Sequence, residues 1–493
     1  MRRRADDVGG SRGCQRASSL DPQARSTHAA QDVTRAPSVP AAAPSAVDPI
    51  AALDDTVARA AKSPLYATRL AGVRIRSRDD LRALPRTTRA DLQQAGPHGT
   101  RAVPLEQVCH YGESSGTSGG AVNTTWLTAD DFARDAATLR ARHPDVFAPG
   151  RVLLNRFPFM AAPAHLIQLV AQQGGGVAIP AGNINWDVPF PRALELVQRT
   201  GAHVIAGVPL EPIVLAAVAR AAGVDPAATA VDTLFLGGAA LPPAMQRRMA
   251  RTWGARVIEL YGSTETMLLG TSCPRGTLHL EDGLVYAEVL DEAGADVPPG
   301  GEGTLVVTTI GVDGSPLVRY DTGDVVRPLL PCACGDPRPA IQVLGRAAET
   351  VVLGSWRLHA HDLVDAAASA ADALDSDVFF VVVLRDRIVL RVETTGDRGD
   401  PMAAWRARVG DVPVEIECVA PSDLLDVELL GRSPRVYKPA VTADWRGPGR
   451  RILTVGEGMI EWPRPSAAEA GRWLGRTWRS ARRRRALARE LGR

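Results

Sequence analysis

Read for apolar and polar positions, the chain alternates from about residue 49 onward between helix-period stretches and short strand-like runs. IAALDDTVARAAK carries its apolar residues at helical spacing. Apolar runs at 152–157, in GGVAIP and in HVIAGV each flank a helical segment such as PRALELVQRTG. DTLFLGG, the helix-compatible PPAMQRRMARTWG and RVIELYGSTE repeat the alternation. Strand–helix–strand order predicts parallel α/β layers. After about Asp282 the pattern becomes strands with turns, LVYAEVLDEAGADVPPGGEGTLVVTTI, which predicts an antiparallel or barrel-like β section. Near Gly345 it changes again. FFVVVLRDRIVLRVE reads as a hairpin between the helical HAHDLVDAAASAADAL and PMAAWRARVG. The expected fold is therefore α/β, with a large domain over 48–345 and a small α+β domain over 346–445. Residues 1–47 have no hydrophobic period and read as a disordered leader. Residues 446–493 form a basic, helix-compatible tail.

Composition narrows the class without naming it. The 493 residues are 45% apolar and 23% charged, the balance of an ordinary globular protein. A net charge of +2 gives no global field for a nucleic-acid partner, and none is expected. The tail could bind an anionic membrane surface through its arginines with Trp473 and Trp478 as anchors, or be a solvated terminal helix. No apolar core follows the basic MRRR start, and no run approaches the roughly 18 apolar residues of a membrane span. Six cysteines in a chain this long do not suggest a disulfide scaffold, so a cytoplasmic, reducing compartment fits best. Lysine is nearly absent: only Lys62 and Lys438 occur among 57 Lys+Arg. Chemistry that needs a lysine has few candidates here.

Four segments carry candidate chemistry. In YGESSGTSGGAVNTTWLT, a loop of Ser114, Ser115, Gly116, Thr117, Ser118, Gly119 and Gly120 exposes backbone N–H groups and hydroxyls. Such a loop can cradle phosphate oxygens or serve as a flexible linker. In IELYGSTETM an apolar strand runs into Tyr261, Gly262, Thr264 and Glu265. There the ring could stack on a base, the hydroxyl could bond a phosphate and the carboxylate could hold Mg²⁺. PLVRYDTGDVVRP offers Asp324 as an acceptor for two ribose hydroxyls, and IQVLGR offers Arg346 just after a glycine.

In this order and spacing the four segments resemble the adenylate-forming superfamily. SSGTSG, LGGAALPPAMQRRM, PLVRYDTGDVVRPLLPCACGDPRPAIQVLGR, SPLYATRLAGV and LPRTTRADL are similar to the phenylacetate–coenzyme A ligase branch. The resemblance implies an ATP- and Mg²⁺-dependent enzyme that adenylates a carboxylic acid, an aromatic one in this branch, and then transfers the acyl group to coenzyme A. It implies that Ser114–Gly120 hold the β- and γ-phosphates and that Gly237, Gly238 and Ala239 line the adenine slot. Tyr261 would lie against the base, Thr264 on the α-phosphate, Glu265 on Mg²⁺, Asp324 on the ribose and Arg346 on the phosphoribosyl group. The family lysine of the small domain falls on Lys438 in RVYKP, or its place is taken by Arg432. Two departures stand out: Gly120 replaces a common lysine, and Ala348 replaces the hinge aspartate. NRFPFMAAPAHL, residues 155–166, is expected to line the acid pocket. An amine, carrier-protein or hydroxyl acceptor remains an alternative, as does a non-catalytic nucleotide binder.

Cys273, His279, Cys332 and Cys334 offer the four ligands of a closed tetrahedral Zn²⁺ site. Similar cysteines occur in relatives of the branch. The other reading is two buried or free thiols with an unrelated histidine.

Overall fold

The computed structural model describes residues 49–114, 122–182, 188–396, 399–427, 441–444 and 446. The leader over 1–47 and all of the tail except Arg446 lie outside the described residues. The expected alternation forms the parallel half of an eleven-stranded sheet. In spatial order its parallel strands are Val177–Pro180, Val152–Asn155, Val204–Gly207, Thr233–Gly237 and Arg256–Ser263. The third and fourth are buried at every position. Helices cover both faces, so continuous apolar runs are needed where an alternating pattern would bury polar groups. The helices Phe190–Thr200 and Pro243–Trp253 both have a proline in the first turn and end on a left-handed glycine, Gly201 at φ 60° and Gly254 at φ 61°. Only glycine adopts that conformation without steric cost.

Six antiparallel strands continue the sheet in the order Met267–Ser272, Leu278–Leu280, Ala340–Arg346, Tyr320–Pro328, Gly303–Thr309 and Val285–Leu290. The change of direction falls at Met267, earlier than the sequence pattern at Asp282 indicates. The reversal is made by three polar residues. Ser263 and Thr266 bond each other's backbone N–H through their hydroxyls, at 3.2 and 3.1 Å, without a proline.

Beyond Arg346 come a short hairpin, Val351–Leu353 with Trp356–Leu358, and the helix Ala360–Ala373. A four-stranded sheet follows in the order Val414–Val419, Ile388–Glu393, Phe379–Val383, Thr442–Asp444, flanked by the helix Pro401–Val409. The expected hairpin is present as Phe379–Val383 against Ile388–Glu393. This section shares an apolar core with the large sheet's helices, Ile213, Met245 and Met249 meeting Ala368 and Phe379. Charges border the contact: Asp377 accepts from Arg248 Nε at 2.5 Å and Thr252 Oγ1 at 2.9 Å, and it pairs with Arg220. Asp365 Oδ1 accepts the Ala244 N–H at 2.8 Å, satisfying a free donor in the first turn of the helix Pro243–Trp253. No described helix is long and apolar enough to cross a membrane.

Candidate nucleotide and acyl site

The chain leaves Val152–Asn155 toward Val177–Pro180 on one side and leaves its neighbour Val204–Gly207 toward Thr233–Gly237 on the other, so the connections of two adjacent strands run in opposite directions. Open α/β sheets bind ligands outside the carboxyl ends of strands at such a reversal. A cavity of about 180 Å³ opens there. Phe157, Val208, Gly238 and Tyr261, each at or just past a parallel strand's end, line it. Two glycines are required by close approach. A Cβ on Gly237 would lie 2.3 Å from the Leu260 carbonyl oxygen, and one on Gly262 2.0 Å from that of Met267.

The polar end is assembled from distant segments. Asp324 and Arg346 are direct partners on neighbouring strands, and Arg346 Nε lies 2.9 Å from Asp324 Oδ1. Tyr261 donates to Asp324 Oδ2 at 2.6 Å, and Arg346 Nη1 donates to the Thr322 carbonyl at 2.7 Å. Burial raises the Asp324 pKa, with the Arg346 charge opposing it. Burial, reinforced by Asp324, also pushes the Tyr261 hydroxyl well above its ordinary 10, so it remains a donor at neutral pH. Glu265 is buried, and its Oε1 accepts from Tyr320 at 2.7 Å and Asn123 Nδ2 at 3.0 Å.

Of the residues the sequence singled out, Ser114, Gly237, Gly238, Tyr261, Gly262, Thr264, Glu265 and Arg346 line this one cavity. Asp324 joins them through Tyr261 and Arg346. Ala239 follows Gly238 but is not on the cavity wall. Ser115, Gly116, Thr117, Ser118, Gly119, Lys438 and Arg432 lie outside the described residues. Phe157, Pro158, Ala161, Pro163 and Leu166 of the 155–166 stretch supply apolar lining to the same cavity.

Three residues went unnoticed in the sequence. Arg89 lines the cavity from the start of the helix Arg89–Ala95, whose N-terminus is closed by a Thr88–Asp91 capping box. TTRAD signals that helix start. What turns Arg89 inward is a long-range pairing: Thr87 N–H reaches Arg319 O at 2.9 Å and Asp321 N–H reaches Thr87 O at 2.8 Å. Asn123 is the second. Glu259 is the third: it is not on the cavity wall but lies on the same face of its strand as Tyr261, its carboxyl pushed up to about 7 by burial.

Sequence comparison agrees with the geometry. Residues 114–312 match the AMP-binding enzyme family. The chain is 28% identical over 292 residues to a phenylacetate–coenzyme A ligase of Thermus thermophilus, covering 56% of this chain and 63% of the relative. It is 26% identical over 294 residues to that of Aromatoleum evansii, covering 57% and 64%. The match thus spans just under two thirds of these relatives' own length. Among solved structures, a 2-hydroxyisobutyryl-CoA ligase in the postadenylation state with 2-HIB-AMP superposes with a TM-score of 0.67 at 20% identity, covering 80% of this chain and 88% of that one. The same ligase in the thioesterification state gives 0.55. Those likenesses establish the fold. Over 114–312 the family match makes the chain similar to AMP-binding enzymes. Within them it resembles the phenylacetate–coenzyme A ligase branch.

A second cluster lies at the far end of the hairpin that carries Asp324 and Arg346. The ligand atoms of Cys273, His279, Cys332 and Cys334 all fall within 4.8 Å of one another. Cys273 Sγ and Cys332 Sγ are 3.9 Å apart, and Cys334 Sγ is 3.4 Å from His279 Nε2. Thiolates about 2.3 Å from a tetrahedral ion would stand about 3.8 Å apart. His279 Nδ1 faces the Arg338 carbonyl at 3.2 Å, which turns Nε2 toward the thiols.

Proposed function

We propose that the protein activates a carboxylic acid with ATP and passes the acyl group to coenzyme A. The observation that carries this reading is one cavity lined both by Tyr261 and Arg346, which hold the acceptor Asp324, and by an uncharged set of apolar side chains. A carboxylate oxygen would attack the α-phosphorus, forming a P–O bond as the bond to the pyrophosphate oxygen breaks. The thiol sulfur would then attack the acyl carbon, releasing AMP, with the thiol proton lost to solvent. Positioning and charge neutralisation are what the protein contributes. Thr264 and Arg89 stand on the cavity wall where phosphate oxygens need donors, and Glu265 would hold Mg²⁺, which neutralises phosphate charge when bound.

The wall of Phe157, Pro158, Ala161, Pro163, Leu166 and Val208 carries no ionisable group. It favours an aromatic or otherwise apolar acid, the class to which the phenylacetate named for the relatives belongs. Residues 346–445 are read as the small domain that moves between the two steps, with Lys438 supplied from it to the adenylation site. Cys273, His279, Cys332 and Cys334 would hold a structural Zn²⁺, pinning the hairpin behind Asp324; three thiolates and an imidazole are a suitable donor set. A reducing cytoplasm suits these free thiols.

The test is to incubate the protein with ATP, Mg²⁺, coenzyme A and a panel of aryl and alkyl acids, and to quantify AMP and thioester. Equal yields of both with an apolar acid support the reading. Acid-dependent AMP without thioester would refute coenzyme A as acceptor.

A further inference from the structure

Asn123 stands where the strand Thr124–Thr128 leaves the Ser/Gly loop, and it is only 1% exposed. Its backbone closes the base of that loop. The Asn123 N–H donates to Ser114 Oγ at 2.9 Å, and its carbonyl accepts the Ser114 N–H at 2.8 Å. Its side chain reaches 142 positions along the chain, where Nδ2 donates to Glu265 Oε1 at 3.0 Å.

That donation fixes the amide. The reverse orientation would set Oδ1 against the carboxylate, two acceptors face to face. Oδ1 is consequently left buried without a hydrogen-bond partner, in a residue that lines the nucleotide cavity. A buried acceptor left unsatisfied costs about 1–3 kcal/mol, so a side chain needed only to pack here would be better apolar. Glu265 is divided in the same way. Its Oε1 takes both Asn123 and Tyr320, while Oε2 receives no hydrogen bond among the described residues.

Two hard oxygens on adjoining side chains of residues that line the cavity thus remain uncommitted among the described residues. Mg²⁺ prefers oxygen ligands, takes few from the protein, and completes its shell with water and substrate phosphates. We propose that Asn123 and Glu265 together hold the divalent cation that accompanies the nucleotide, Glu265 through Oε2 and Asn123 through Oδ1. Because Asn123 also closes the loop at Ser114, it ties the phosphate loop to the cation site. The proposal rests on the nucleotide-binding reading above.

The experiment is calorimetric titration of ATP into the full-length protein, once in EDTA and once in saturating Mn²⁺, for the wild type, Asn123→Leu and Asn123→Asp. The expected result is that Mn²⁺ tightens ATP binding in the wild type. Asn123→Leu should lose roughly tenfold of that enhancement, the usual scale for partners of a metal ligand, and circular dichroism with a cooperative thermal transition shows that it folds. Asn123→Asp cannot donate to Glu265 but keeps an oxygen at the Oδ1 position, and it should retain the enhancement. An unchanged enhancement in Asn123→Leu, or its loss in Asn123→Asp, overturns the proposal. A wild type that binds ATP in EDTA but gains nothing from Mn²⁺ overturns it too and leaves nucleotide binding standing. No ATP binding under either condition refutes the underlying reading itself.

Discussion

Tyr261 donates a 2.6 Å hydrogen bond to Asp324 Oδ2, joining the last parallel strand to a strand 63 positions further on. Arg346 holds the other oxygen of the same carboxylate. The acceptor proposed for a ribose is thereby oriented before any ligand arrives, so little ordering remains to be done on binding. Tyr261→Phe removes one donor from a buried carboxylate. Hydrogen bonds to charged groups contribute about 1.5–3 kcal/mol. Titration calorimetry should therefore show ATP affinity weakened at least about tenfold, with an unfolding midpoint a few degrees lower.

Arg89 makes no ion pair among the described residues, yet it lines the cavity beside Glu265 and Arg346. A cation left unpaired on the wall of a proposed phosphate site is available to act on the ligand. Arg89→Ala should lower the rate of ATP–pyrophosphate exchange roughly tenfold or more while thermal unfolding stays put. Arg89→Lys should recover part of the rate, since it restores the charge without the planar fork.

Glu259 provides a pH signature. Burial raises its carboxyl from 4.5 to about 7, so the folded protein holds a proton there that the unfolded chain releases above pH 4.5. The favourable contribution is complete below pH 4.5 and is lost as pH rises through about 7. Denaturant titrations of the wild type and Glu259→Gln should differ increasingly between pH 5 and 7.5, the wild type losing up to about 3 kcal/mol relative to the variant.

The thiol cluster predicts a stoichiometric metal. Elemental analysis of protein purified without chelator should find about one zinc per chain, and Cys332→Ser should lose it. Because metal binding by preorganised thiolates is coupled to folding, that variant should unfold several degrees lower. Its ATP affinity should fall less than that of Tyr261→Phe, since the cluster lies at the other end of the hairpin.

The sequence made the parallel strands legible because burial on both faces leaves short apolar runs between helices with recognisable ends, as at Gly201 and Gly254. Candidate chemistry was legible where rare residues cluster in sequence, as in CAC and YGSTE. The hairpin at Thr264–Thr266 was hidden because side-chain hydroxyls close it without a glycine or proline in the turn. Arg89 and Asn123 were hidden for a different reason. Each looks like a surface residue in its own segment, and each owes its placement to a partner far along the chain, Thr87 against Arg319 and Asp321 in one case and Glu265 in the other. Local pattern does not encode such pairings.

ATP–pyrophosphate exchange is the most direct test of the central claim, measured with purified protein across aryl and alkyl acids, for the wild type and Asp324→Ala. The account predicts exchange that depends on an apolar acid and that Asp324→Ala reduces by at least about a hundredfold, through loss of the ribose acceptor. Exchange with no acid in the panel, despite measurable ATP binding, would contradict it.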